Sequence, residues 1–138
     1  MTTLAAAAIL AGCASMSPAE RAWQSLHILD VAQTLNGPAS DPCYRELAPD
    51  TRFLIGERPH RDEVLAWGVA AAVVHHVAFR WIDRQDWPQG VKVALRSLDL
   101  GYKGVTVGRN HEAGIRPWGD NGSCVPGPAF DPDARPVK

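Results

Sequence analysis

The sequence predicts an all-α fold, a small three-helix bundle, and three observations carry that expectation. Stretches at about 18–35, 62–83 and 88–113 bear apolar residues at helical spacing. Cap and stop residues bound them, and proline and glycine concentrate in the segments between and after them. The chain has 138 residues, 46% hydrophobic and 21% charged, which suits one small domain. Lys+Arg number 14 against Asp+Glu 15, so no basic excess points to a nucleic-acid partner. With 11 Pro and 12 Gly, only part of the chain is expected to be regular structure.

Helix one opens on Ser17-Pro18-Ala19-Glu20, a hydroxyl cap, a proline at the first helical position and a glutamate three residues after the cap, which together read as a capping box. Trp23, Leu26, Ile28, Leu29, Val31 and Leu35 follow, and Asn36-Gly37-Pro38 supplies the stop. His27, Asp30, Gln33 and Thr34 recur at three- and four-residue spacing and form one polar stripe, read first as a solvated face. Residues 39–60 are expected to be a long ordered loop with one short turn around 50–55.

Helix two starts with the acids Asp62 and Glu63, runs through the almost wholly apolar Val64–Phe79, and ends near Arg80 and Arg84, where the helix dipole favours cations. Val64 to Ile82 would be about 28 Å long, close to the ~30 Å of a bilayer core. It is therefore the candidate membrane span. His75, His76, Arg80 and the many alanines count against insertion, whereas Trp81 and Trp87 suit interfacial anchors.

Helix three carries Val91, Leu95, Leu98, Tyr102 and Val105 on one face, and Gly114 and Pro117 end it. Gly101, Gly104 and Gly108 each cost up to about 1 kcal/mol relative to alanine. A close approach to the Gly68, Ala72 and His76 stripe of helix two would offset that cost, as in small-xxx-small pairs; the alternative is that they break helix three. The short connection from Asp83 to Trp87 makes these two helices an antiparallel hairpin. Residues 125–138 read as a disordered tail.

Residues 1–12 carry no charge, and the run Leu4–Gly12 would extend only about 14 Å as a helix, too short to span a bilayer. It reads as a signal peptide. Leu10-Ala11-Gly12-Cys13 closely resembles the lipobox of bacterial lipoproteins. The resemblance implies an acyl group such as palmitate on Cys13 and a mature domain over 13–124. It also implies a periplasm-facing place in the cell envelope, with Ala14 favouring the outer membrane. If Cys13 carries lipid, the remaining thiols Cys43 and Cys124 are candidates for one disulfide. Closing a loop of about eighty residues would contribute roughly 4 to 5 kcal/mol in the chain-entropy picture; two free buried cysteines are the alternative.

Hydrolase, zincin, P-loop and dinucleotide signatures are absent, so an enzyme is not the default. His27, Asp30, His76 and His111 have the composition of a His/carboxylate metal site without its spacing. Solvent exposure and a structural polar network joining His27, Asp30 and Asn110 are the competing readings. The strings His27-x-x-Asp30-x-x-Gln33-Thr34, Thr51–Pro59 and Gly108–His111 also resemble a set of small exported bacterial and phage proteins of unknown function. That resemblance implies a membrane-associated helical chain whose polar residues form one cluster.

Three functions are thus open. The first is a lipid-anchored, non-enzymatic envelope lipoprotein with an unidentified envelope partner, no nucleic acid and no cofactor beyond the lipid. The second is an integral membrane protein with 64–82 and 90–113 inserted as a helical hairpin, and the third a small His-dependent metal-binding enzyme.

Overall fold

A computed structural model describes residues 16–46 and 48–121, within which the chain forms four helices and no strand. The signal peptide expected over 1–12, Cys13, Cys124 and the tail expected over 125–138 lie outside the described residues.

Helix α1 spans Pro18–Asn36, α2 Pro49–Ile55, α3 Arg61–Arg84 and α4 Gln89–Glu112. Local chemistry explains each start and stop. Ser17 Oγ accepts from Glu20 N at 3.2 Å, filling one of the unpaired donors at the start of α1. The other half of the expected capping box is diverted, because the Glu20 carboxylate pairs with His76 on α3 instead. On α3 the Glu63 carboxylate accepts from His60 N at 2.8 Å and secures the first turn. The turn expected around 50–55 is the short helix α2, ended by Gly56 at φ 85°.

Packing is organised around α1, which lies against both α3 and α4. Gln24 reaches the Ala72 carbonyl and His27 the Gly68 carbonyl, so α1 and α3 are antiparallel. Asp30 meets Lys103 and Asn110 on α4, which runs parallel to α1. The α3–α4 connection is an antiparallel hairpin, tied by Asp83 to Arg96 and by His75 to Asp99.

The expected glycine contact between α3 and α4 is not where the backbones approach. A Cβ on Gly68 would lie 2.8 Å from Val31 Cγ2 of α1, whereas Gly101 and Gly108 have no atom within 4 Å. Gly104 has only Leu26 of α1, at 3.9 Å. The small residue is required where α1 seats in the hairpin, since β-branched Val31 is stiff and cannot give way. None of the three glycines breaks α4.

The distribution of side chains is inverted relative to a water-soluble bundle. Glu20, His27, Asp30, Gln33 and Thr34 of α1 are buried, while Ile28 on the same helix is 67% exposed. The stripe read as a solvated face is therefore the packing face. On α4 the apolar face with Val91, Leu95, Leu98, Tyr102 and Val105 looks outward, Leu98 at 73% exposure. The physical reason lies in two superposed seven-residue patterns. Val91, Leu98 and Val105 form one, and Lys92, Arg96, Asp99, Lys103 and Asn110 form the other; the polar one faces α1 and α3. On α3, Val69, Val73, Val74 and Val77 are likewise exposed.

At the end of the bundle where α1 stops, Tyr44 and Ile115 form a small apolar cluster with Cys43 and Ala113 packed against it. Gly37 lets the turn after α1 close on Ile115, whose Cγ2 would stand 2.7 Å from an added Cβ. Asn36 Nδ2 donates to the Arg116 and Gly119 carbonyls, both at 3.0 Å, and Asn121 Nδ2 returns a bond to the Asn36 carbonyl at 2.8 Å. These bonds hold residues 115–121 against α1.

The same chemical change at two helical glycines should have opposite signs. Gly101→Ala should stabilise by up to about 1 kcal/mol through helix propensity, and Gly68→Ala should destabilise by about 1–3 kcal/mol through overpacking against Val31. Thermal unfolding of the two variants beside the parent chain checks this; equal shifts would show that α1 does not seat at Gly68.

Candidate functional site

The residues with chemistry meet along a seam between α1, α3 and α4. On α1, Glu20, Trp23, His27, Asp30 and Thr34 recur at alternating three- and four-residue steps, which keeps them on one line facing the two long helices. The first four find partners on the long helices, and Thr34 finds Glu46 in the loop that follows α1.

Nearest the α3–α4 connection, Asp83 pairs with Arg96, whose guanidinium carbon lies 5.5 Å over the Phe79 ring. The next layer holds two histidine–carboxylate pairs, His76 Nδ1 with Glu20 and His75 Nε2 with Asp99. Adjacent in sequence, the two histidines are about 100° apart around α3, so one serves α1 and the other α4. Four rings then run through the centre. Trp23 lies nearly parallel to His75 with centroids 3.4 Å apart and to His27 at 4.8 Å, and His75 meets Phe79 at 4.2 Å. Lys103 Nζ stands 5.4 Å over the Trp23 ring, a geometry in which the ring quadrupole attracts the cation.

Beyond the rings, the Asp30 carboxylate accepts from Lys103 Nζ at 2.8 Å and from Asn110 Nδ2 at 3.1 Å. His27 Nε2 donates to the Gly68 carbonyl at 2.8 Å, a helix carbonyl that α1 can approach because position 68 carries no side chain. Gln33 Nε2 donates to the Ile115 carbonyl at 3.1 Å and the Val107 carbonyl at 3.3 Å. Thr34 Oγ1 donates to Glu46 at 3.2 Å, and the same carboxylate caps Ala48 N at 2.9 Å. A cavity of about 10 Å³, room for one water, opens beside this layer and is lined by His27, Asp30, Thr34, Thr51, Val64 and Trp67. Among the described residues, the buried nitrogens Trp23 Nε1, His27 Nδ1 and His75 Nδ1 have no hydrogen-bond partner.

Of the polar residues singled out in the sequence, the structure joins Asp30 to Asn110 directly and brings His27 and His76 into the same seam. His27 bonds to the α3 backbone rather than to Asp30 or Asn110. His111 is exposed near the end of α4 and takes no part. Sequence reasoning missed Glu20, Trp23, His75, Asp99 and Lys103. The polar seven-residue pattern of α4 finds Asp99 and Lys103 and its counterpart on α1 finds Glu20 and Trp23, whereas His75 on α3 belongs to neither.

Among the described residues no group of three or more His, Cys, Asp or Glu side chains is placed to hold a metal ion. The carboxylates of the seam are engaged by cations, histidines and amides, an arrangement that fixes helix register and charge. Cys43 is disulfide-bonded, and its partner lies outside the described residues, as do Cys124 and Cys13, the position expected to carry lipid.

Removing one member of a buried pair leaves the other uncompensated. Asp30→Ala should therefore cost about 3–5 kcal/mol in chemical unfolding, because Lys103 loses its carboxylate and Asn110 keeps only the longer bond to Gln33 Oε1 at 3.4 Å. The double change Asp30→Leu with Lys103→Met should recover most of it. A loss below 1 kcal/mol for Asp30→Ala would show that the seam is hydrated and carries little. No family model, curated protein or solved structure matches this chain.

Proposed function

We propose that this chain is a membrane-bound component of the bacterial cell envelope, a non-enzymatic interaction or structural part. In this reading it is held by lipid on Cys13 and by α3 and α4 inserted as a helical hairpin, with α1 completing a three-helix unit. One observation carries the reading: along the middle of the long helices the polar groups, His75 and His76 on α3 and Arg96, Asp99 and Lys103 on α4, turn inward, while valines and leucines turn outward.

In water that arrangement forfeits apolar burial, about 25 cal/mol for each Å² left exposed, and also desolvates ionisable groups. In lipid both terms reverse. Apolar faces meet acyl chains at no cost, and polar groups facing the bundle interior find one another. α3 is long and apolar enough to cross a membrane, and only 17% of its most apolar stretch is buried. Charge removes α4 from that class by composition, yet Lys92, Arg96, Asp99 and Lys103 all lie on its inward side.

The exposed apolar residues run from Leu65 to Trp81 on α3 and from Val91 to Val105 on α4. At 1.5 Å per residue they form a band roughly 21–24 Å tall, which suits a thin bilayer. Disulfide-bonded Cys43 agrees with export, and we assign its partner to Cys124, three residues beyond the Asn121 that is clasped to α1.

Alkaline carbonate extraction of envelopes carrying Cys13→Ala tests insertion. Retention of that variant in the membrane pellet supports insertion of the helices. Release into the supernatant would overturn insertion and leave a soluble module tethered by lipid. Intact mass of the mature protein should show cleavage before Cys13, acyl chains, and a two-hydrogen deficit for the disulfide. An uncleaved chain with a bare thiol at Cys13 would remove the lipid anchor.

A further inference from the structure

The two ends of the bundle differ in what they offer a lipid surface. Because α1 is antiparallel to α3, Glu20 meets His76, and the start of α1 lies at the same end as the connection between α3 and α4. Cys13 precedes Pro18 by five residues, a reach of at most about 18 Å, so a lipid on Cys13 would enter the membrane at this end.

Trp81 and Trp87 meet here edge to face, with ring centroids 5.3 Å apart, and are 53% and 39% exposed. Arg80 and Arg84 stand one turn apart on α3, both exposed, and neither has a partner among the described residues. The nearby Asp83 does not neutralise them: its carboxylate is held by Arg96 and its carbonyl accepts from Lys92 Nζ at 3.0 Å. Asp86 is the remaining acid in the segment, so Arg80, Arg84, Lys92 and Arg96 outnumber Asp83 and Asp86.

We propose that this end docks on anionic lipid headgroups, with Arg80 and Arg84 pairing with the phosphates of acidic lipids and Trp81 and Trp87 at headgroup depth. A guanidinium matches a phosphate through two parallel hydrogen bonds. Tryptophan settles where an apolar ring and a polar N–H are both accommodated. Free arginines on a solvated surface would not need two exposed indoles beside them. The assignment rests on the membrane reading above and adds its orientation and lipid class.

Flotation of the full chain carrying Cys13→Ala with vesicles of pure phosphatidylcholine, or of phosphatidylcholine with 30% phosphatidylglycerol, tests it. At about a factor of five per arginine near an anionic surface, the acidic vesicles should bind roughly 10- to 30-fold more tightly at low salt. Arg80→Gln with Arg84→Gln should abolish the preference. Arg80→Lys with Arg84→Lys should keep most of it, which separates charge from folding. Equal binding to both vesicles, or a preference that survives the glutamine pair, would overturn headgroup docking while leaving insertion standing. Absence of binding to either vesicle would overturn insertion and docking together.

Discussion

Asp30 at the centre of α1, holding the Lys103 ammonium and the Asn110 amide of α4, is the contact on which the rest of the arrangement depends. Apolar surfaces pack in many registers at similar energy, but a buried charge accepts very few partners. Lys103 and Asn110 stand two turns apart with Asp30 between them, so sliding α1 by one turn along α4 would take Asp30 from one of its two donors and would pull Glu20 from His76 and His27 from the Gly68 carbonyl. The seam thus contributes less through the net energy of any one pair than through the penalty on every alternative register. Close seating of Val31 on Gly68 belongs to the same constraint, since it brings the α1 side chains within reach of the α3 backbone.

Much of the helical architecture is legible in the residues. Ser17-Pro18 and Asn36-Gly37 mark α1 to within one residue, and the acids at 62 and 63 with the arginines at 80 and 84 bracket α3. What could not be read was the sign of each face. Apolar periodicity says that a helix has two sides, and it assigns the apolar side inward only if the surroundings are water. On α4 the apolar and polar patterns share the same seven-residue period, so nothing in the spacing chooses between them.

The histidines show the same limit at a single site. His75 and His76 both count against a membrane span by composition, yet each pairs one ring nitrogen with a carboxylate of a neighbouring helix. Glu20 is a parallel case. A glutamate three residues after a serine cap is normally spent on its own helix start, but a histidine from another helix lies within reach and takes it. Local sequence cannot announce a partner 56 residues away.

Cys43 sits beyond the C-terminal end of α1, next to Tyr44 and Ile115, while the start of α1 lies some 28 Å away at 1.5 Å per residue. A cystine at one pole, together with the acyl group proposed for a cysteine shortly before the start of α1, would impose a joint condition on placement. In the proposed arrangement neither pole tolerates contact with the glutathione-buffered cytosol. A hairpin crossing the inner membrane would put one pole there, whereas one lodged in the outer membrane has thiol-oxidising surroundings on both sides.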